Sequence, residues 1–115
     1  MRNMSFSLTT GPFRAHTKIV TRRLGWWNVT PGEVICGIER GMGLKKGEKI
    51  VRMGMIEVIE CGGEPLQAIT QPEVILEGFP DWSPEQFVEF FCQANKVQPT
   101  VMVNRILFRH ILETR

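Results

Sequence analysis

The sequence contains no long hydrophobic run, and this absence excludes a protein with a membrane-spanning helix. None of its segments approaches the roughly 20 consecutive apolar residues that a membrane-spanning helix needs. Residues 1–7 also lack the apolar core of a signal peptide. Only 3 of the 115 residues are cysteines, so we expect no secreted disulfide framework. These absences predict a cytoplasmic protein that does not bind membranes.

Several signatures of catalysis and metal binding are missing as well. The cysteines lack the paired spacing of a zinc cluster, and His16 and His110 lie far apart in the sequence. The glycine-rich residues 41–47 do not follow the Gly-x-x-x-x-Gly-Lys-Ser/Thr order of a phosphate-binding loop. The chain also has no Gly-x-Ser-x-Gly nucleophile motif. We therefore expect neither a bound metal nor a cofactor.

The charges that are present are separated along the chain. Residues 1–32 contain no Asp or Glu, and residues 1–52 sum to +7. Residues 53–95 contain no Lys or Arg and sum to −8, although the whole chain is only +2. A phosphate-bearing partner would be drawn to the basic half. The alternative is that each charge simply solvates its own part of the surface.

The pattern of apolar residues predicts a single domain over residues 1–115. Hydrophobic residues make up 43% of the chain and charged residues 23%, as in ordinary globular domains. The predicted strands are residues 5–8, 18–23, 34–39, 50–60 and 101–112, with a break at residues 61–63. Strands separated by turns, without regular helical crossovers, favour a small mixed barrel over a doubly wound sheet.

Local signals predict two or three short helices, of which the one at Gln71 is ambiguous. One begins at Thr10 or Gly11 and another at Gln71. The third has Ser83 as its cap and Gln86 in a capping box, and it extends to about Asn95. Its apolar side chains are Phe87, Val88, Phe90 and Phe91. We interpret this aromatic face as core and not as a ligand-binding surface.

A dense basic run at residues 14–23 is the strongest candidate for function. On an extended chain, Lys18 and Arg22 point to one face, whereas Thr21 and Arg23 point to the other. A joint role for Lys18 and Thr21 therefore requires a bend, bulge or turn between them. Together with Arg14, the basic side chains suggest a phosphate-binding strip.

Residues 16–23, His-Thr-Lys-Ile-Val-Thr-Arg-Arg, resemble the signature of ASCH domains, which commonly reads Gly-x-Lys-Thr-x-Thr-x-Arg. His16 stands where that motif has Gly, and Ile19 where it has Thr. The later matches are residues 31–34, 77–79 and 85–92, in the order and spacing of the family. The resemblance covers nearly the whole chain. It implies an α+β, PUA-like fold, a small mixed β-barrel of about five or six strands with two or three short flanking helices and a cleft.

The resemblance also implies site residues. It matches the cleft lysine of the family to Lys18, the threonine three positions later to Thr21, the acidic residue to Glu77 and the motif arginine to Arg23. The family is thought mainly to bind RNA, and one bacterial branch resembles amidohydrolases that act on N4-acetylated cytidine. In that branch Thr21 would be the nucleophile or orient water, while Lys18 and Glu77 would handle protons.

Three functions stay open at this stage. The leading one is an RNA- or nucleotide-binding module, for which the candidate contacts are Arg14, Lys18, Arg22, Arg23 and Trp26. The second is a small metal-independent amidohydrolase with Lys18, Thr21 and Glu77 as its catalytic set. The third is a protein whose acidic half docks a basic partner. The alternative for the catalytic set is an ordinary ion pair beside a structural threonine. The sequence does not indicate an oligomeric state.

Overall fold

Five strands and three α-helices are formed by the residues that the computed structural model describes, 1–41 and 43–112. In chain order they are β1 (Asn3–Ser5), α1 (Thr10–Arg14), β2 (Val20–Arg23), β3 (Val34–Ile38), β4 (Arg52–Pro65), α2 (Gln71–Leu76), α3 (Pro84–Asn95) and β5 (Met102–Ile111). A short 3-10 helix, Leu66–Ala68, connects β4 to α2. The α+β class is confirmed, and the three helices agree with the predicted two or three.

The strands form a single mixed sheet in the order β1-β3-β4-β5-β2. β1 pairs with β3 in parallel, and the other three pairings are antiparallel. β1 and β2 are the two edges, and no pairing among the described residues joins them. The sheet is therefore open by its hydrogen-bonded order, and the predicted closure into a barrel is not confirmed.

The first strand lies earlier than predicted. β1 covers Asn3–Ser5, and the chain turns immediately afterwards, where the Thr9 N–H donates to the Phe6 carbonyl at 3.0 Å. Met4 and Phe6 are the alternating residues that point into the core, whereas Leu8 is 59% exposed. The prediction of a strand at residues 5–8 was wrong, because Leu8 fits the alternating pattern of a strand but is exposed to solvent and does not enter the core.

The middle strand continues through the predicted break at residues 61–63. Gly62 pairs with Arg105 and Gly63 with Asn104, so the β5 ladder supplies backbone hydrogen bonds that the local sequence does not favour. A Cβ on Gly63 would lie 3.4 Å from the Trp27 ring. Glycine thus admits an aromatic side chain against the strand instead of ending it.

The cap of α3 forms as predicted. The Gln86 N–H donates to the Ser83 hydroxyl at 3.2 Å, and the Ser83 N–H donates to the Gln86 side-chain oxygen at 2.8 Å. These bonds satisfy two of the backbone donors that a helix N-terminus leaves free. The helix ends before Lys96, which has a left-handed φ of 55°.

The core consists of two clusters of buried side chains. The first contains Met4, Phe6, Phe13, Val29, Ile35, Ile56, Val58, Ile106 and Phe108. The second contains Leu66, Ile69, Val74, Phe87, Phe91 and Val103. β5 contributes to both, with Val103 in one and Phe108 in the other. In the described part of the chain, no helix has the length and apolar character needed to cross a bilayer.

Candidate functional site

A cavity of about 280 Å³ lies between the segment after β1, strand β2 and helix α3. This volume is close to the lower end of the roughly 300–1,000 Å³ typical of small-ligand pockets. The charged residues lining it are Lys18, Arg22, Arg23 and Glu77. The other polar and aromatic residues are Ser5, Ser7, Thr9, Thr21, Asn95, Phe6, Trp26, Phe79, Phe87, Phe90 and Phe91. Cations thus face an aromatic wall across one small space.

Lys18 and Glu77 form a buried ion pair within this cavity. The Lys18 ammonium lies 2.6 Å from Glu77 Oε1 and also donates to the Glu77 carbonyl at 2.9 Å. Both side chains are only 3% exposed. Burial lowers the pKa of Lys18 below its usual 10.5, the carboxylate of Glu77 opposes this effect, and the charges of Arg23 and Arg22 add to it. The lysine therefore holds its proton less tightly than an exposed lysine does.

Gly78 allows the chain to bring Glu77 to this position. Its φ is +109°, a conformation that residues with a side chain rarely adopt. A Cβ at Gly78 would lie 2.7 Å from Pro12 Cβ, so only glycine lets this segment approach α1 so closely. The Ile19 N–H donates to the Leu76 carbonyl at 3.0 Å and fixes the same two segments beside each other.

Arg22 is enclosed by three carboxylates. It donates to Glu77 Oε2 at 3.1 Å, to Glu73 Oε1 at 2.8 Å and to Glu64 Oε2 at 3.2 Å. Its side chain is 1% exposed. Lys18 and Arg22 therefore hold Glu77 from two sides, and the positive charge of Arg22 is compensated within the protein.

Arg23 has a different environment from its neighbour. Its Nε donates to the Thr21 hydroxyl at 2.9 Å, and its guanidinium lies 4.7 Å from the centre of the Phe6 ring. It forms no ion pair with a carboxylate among the described residues. Burial lowers the pKa of Arg23 to about 10, although the charge of Glu77 partly offsets this effect. At neutral pH Arg23 is thus charged, without an ion-pair partner among the described residues.

Thr21 is buried in the same cavity as Lys18 and Glu77. Its hydroxyl oxygen accepts from Arg23, and in the described part of the chain its proton is donated to no protein acceptor. The strand begins only at Val20, so Lys18 precedes β2 and is not bound by its alternation. Lys18 and Thr21 line the same cavity, and no hydrogen bond among the described residues joins them.

The remaining predicted residues fall inside and outside the cavity. Trp26 lines it and is half-buried, whereas Trp27 is 55% exposed and lies against Gly63. Arg14 is an exposed residue of α1, pairs with Glu39 at 2.9 Å and does not line the cavity. The structure thus brings together all the predicted site residues except Arg14.

Sequence reasoning missed two parts of the cavity. The aromatic face of α3 is not only core: Phe87 and Phe91 are buried, but together with Phe90 they also line the cavity. The width of the aromatic face could have indicated this second role, because a helix that packs on a single neighbour needs a narrower apolar face. The hydroxyls of Ser5, Ser7 and Thr9 had no signal, since they became cavity residues only through the turn after β1.

The two histidines, distant in the sequence, are stacked in the structure. Their ring centres lie 4.3 Å apart, and His110 Nε2 is 2.8 Å from the Lys18 carbonyl oxygen. No group of three or more His, Cys, Asp or Glu side chains within the described residues is arranged to hold a metal ion. All three cysteines are free thiols.

No family model matches the chain, and no curated protein sequence matches it. Solved structures do. The crystal structure of an ASCH domain from Lactobacillus crispatus JV V101 superposes with a TM-score of 0.63 at 12% identity, covering 95% of this chain and 78% of that one. An Enterococcus faecalis V583 protein of the DUF984 family model superposes with a TM-score of 0.61 at 11% identity, covering 91% of this chain and 71% of that one. The chain therefore has an ASCH-like fold.

Proposed function

We propose that the cavity binds a nucleotide or an unpaired base of single-stranded RNA. The observation that carries this proposal is Arg23, a charged guanidinium that lines the cavity without a carboxylate partner among the described residues. Lys18 and Arg22 also line the cavity, but Glu77 already binds both of them. A cation without an ion-pair partner in a cavity favours a ligand with negative charge or carbonyl oxygens.

The aromatic wall supports a flat ligand. Phe79 stacks on Trp82 with ring centres 4.1 Å apart, and Phe90 contacts Phe79 edge-on at 5.5 Å. These contacts hold the wall rigid, so that a bound base does not have to order it. Stacking of a base on an aromatic side chain is worth about 1–3 kcal/mol. The volume of the cavity suits one base and its attached groups better than a folded nucleic acid.

The lining of the cavity favours this function over an acidic docking face for a basic protein. Three cations and one carboxylate line it, and the acidic side chains nearest to it are held by arginines. We therefore assign the ligand contacts to Arg23 and Trp26, whereas Lys18 is held by Glu77. Arg22 supports the site from within, and Arg14 would contact only the part of an RNA strand outside the cavity.

Fluorescence titration with short single-stranded RNA, for example oligocytidylate, tests the proposal, because Trp26 reports on the cavity. We expect binding that weakens with salt, and a further weakening of about tenfold in Arg23→Gln, since hydrogen bonds to charged groups contribute about 1.5–3 kcal/mol. The matched control is Arg109→Gln, which removes an exposed arginine paired with Glu57. Equal affinity of the two variants would contradict the proposal, and Arg14→Gln measures the contribution from outside the cavity.

A second candidate function, a metal-independent amidohydrolase for an acylated nucleoside such as N4-acetylcytidine, is favoured by the Lys18–Glu77–Thr21 cluster. In this reaction water, or Thr21 before it, adds to the acetyl carbonyl, and the C–N bond to the base nitrogen breaks. Glu77 or a neutral Lys18 takes the proton of the nucleophile, and a proton passes to the departing nitrogen. The products are acetate and the free nucleoside. The lowered pKa of Lys18 suits this proton transfer.

Hydrolysis of N4-acetylcytidine in the presence of a chelator tests this candidate. We expect turnover that is lost in Lys18→Met and in Thr21→Val and is retained in Arg109→Gln. Thr21→Val keeps the shape of the side chain, so it separates loss of the hydroxyl from loss of the fold. Turnover that survives both substitutions would show that the cluster is an ordinary ion pair beside a structural threonine.

A further inference from the structure

Three of the five residues from Ser5, the last residue of β1, to Thr9 carry hydroxyl groups, and all five residues line the cavity. Ser5, Ser7 and Thr9 all line it. Thr9 is only 7% exposed, and its hydroxyl neither donates nor accepts a hydrogen bond among the described residues. The Thr9 hydroxyl is therefore available to a ligand or to water.

Phe6 connects this segment to Arg23. The Arg23 guanidinium lies over the Phe6 ring, and the Thr9 N–H donates to the Phe6 carbonyl at 3.0 Å. The two terminal nitrogens of Arg23 have no partner in the described part of the chain. Among the described residues, Arg22 Nε is the fully buried side-chain nitrogen or oxygen atom that lacks a hydrogen-bond partner. The terminal nitrogens of Arg23 and the Thr9 hydroxyl also lack a partner in that part of the chain. Because they are not fully buried atoms, they keep a solvent-accessible surface.

The combination of a guanidinium and hydroxyl donors matches a phosphate group. The two terminal nitrogens of an arginine can donate in parallel to two phosphate oxygens. Hydroxyl groups can donate to the remaining oxygen, and they fit a tetrahedral anion better than a planar carboxylate. Because Glu77, Glu73 and Glu64 compensate Arg22, and Glu77 also compensates Lys18, Arg23 remains to hold an anion.

We propose that Arg23 and the hydroxyl groups of Ser5, Ser7 and Thr9 form a phosphate subsite, so that the cavity takes a phosphorylated nucleotide in preference to the free nucleoside. Binding of the attached base rests on the function proposed above, whereas binding of the phosphate group does not. A nucleoside alone would leave Arg23 and Thr9 without partners. A nucleotide satisfies both and still places its base against the aromatic wall.

Calorimetric titration with cytidine 5′-monophosphate and with cytidine tests the preference. We expect the monophosphate to bind about tenfold or more tightly than cytidine, because hydrogen bonds between charged groups are the stronger kind. Arg23→Gln should remove this preference, so that the monophosphate and cytidine bind to the variant with about equal affinity, and Thr9→Val should reduce it. Arg109→Gln is the matched control and should retain it. Equal affinities in the unmodified protein, or a preference that survives Arg23→Gln, would overturn the proposal.

A titration with inorganic phosphate tests the phosphate subsite separately from the nucleotide-binding function proposed above. The side-chain Nε–H signal of Arg23 and the backbone amide of Thr9 are followed by NMR in the full chain. If neither nucleoside nor nucleotide binds but phosphate shifts both signals in a saturable manner, the subsite stands and nucleotide binding fails. If millimolar phosphate shifts neither signal, the subsite is refuted, whatever the nucleotides do.

Discussion

Two adjacent arginines of β2 show how one position along a strand decides the role of a charge. Arg22 is fixed by the carboxylates of Glu77, Glu73 and Glu64, whereas Arg23 donates to Thr21 and lies over the Phe6 ring without an ion-pair partner in the described part of the chain. The same residue type is therefore structural at one position and available to a ligand at the next. The alternation of a strand produces this division, because successive side chains lie on opposite faces.

The division predicts opposite effects on stability. Arg22→Gln leaves the buried Glu77 with one cation fewer, and breaking a buried ion pair by removing one partner typically costs about 3–5 kcal/mol. Arg23→Gln removes no carboxylate partner, so the free energy of unfolding should change little. Urea unfolding of both variants measures this, with Arg109→Gln, an exposed pair worth about 0–1 kcal/mol, as the control. Equal losses in the two variants would show that Arg22 is not the structural residue.

At the scale of elements, packing of α1 on the sheet requires a glycine in β3. A Cβ on Gly37 would lie 2.2 Å from the tip of the Phe13 ring, and 2.8 Å and 2.9 Å from its neighbouring ring carbons. Phe13 is buried in the first core cluster and cannot move away freely. Helix α1, which precedes Lys18, can thus pack closely on β3 only because Gly37 has no side chain.

Gly37→Ala should therefore destabilise the fold by about 1–3 kcal/mol, the usual cost of overpacking a core. Gly11→Ala is the matched control, since a Cβ there meets nothing within 4 Å and alanine favours a helix. Thermal unfolding of the two variants gives the comparison. A Gly37→Ala variant as stable as the Gly11→Ala variant would mean that Phe13 repacks without cost.

The same scale explains what the sequence could and could not predict. α3 was predictable because its cap is local, with Ser83 and Gln86 only three residues apart. The continuation of β4 through Gly62 was not, because it depends on β5, more than 40 residues away in the chain. The cavity was predictable in part: the basic run identified Lys18 and Arg23, but only tertiary contacts show that Arg22 is enclosed.

At the scale of the whole molecule, the separation of charge along the sequence is largely an internal arrangement. Five of the eight acidic residues in 53–95 pair with arginine or lysine side chains of the segments around β2 and β5. These five are Glu57, Glu60, Glu64, Glu73 and Glu77. Arg105 extends the network, binding Glu73 and Glu60 across the sheet. The acidic segment is thus partly neutralised within the fold, by Lys18 and Arg22 of the basic half and by Arg105 and Arg109 of β5.

The contact of His110 with Lys18 and His16 predicts how the stability of the fold responds to acid. Burial lowers the pKa of His110 below 6.5, the hydrogen bond with the Lys18 carbonyl opposes this, and the charge of His16 adds to it. The unfolded chain then binds more protons than the folded one below pH 6.5. Stability is therefore complete above that pH and falls as the pH decreases through 6.5. The carboxylates with lowered pKa values, such as Glu73 and Glu33, add their loss only below about 4.5.

Urea unfolding at pH 7.5 and pH 5.5 isolates the histidine effect, because that interval lies above the carboxylate range. We expect the protein to lose stability between these values, and His110→Gln to lose less, since glutamine does not titrate but can still donate to the Lys18 carbonyl. His16→Asn should show an intermediate loss, because it removes the neighbouring imidazole while asparagine tolerates the left-handed φ of 61° at that position. An unchanged pH dependence in His110→Gln would place the acid sensitivity elsewhere, and the stacked pair would then be a packing contact alone.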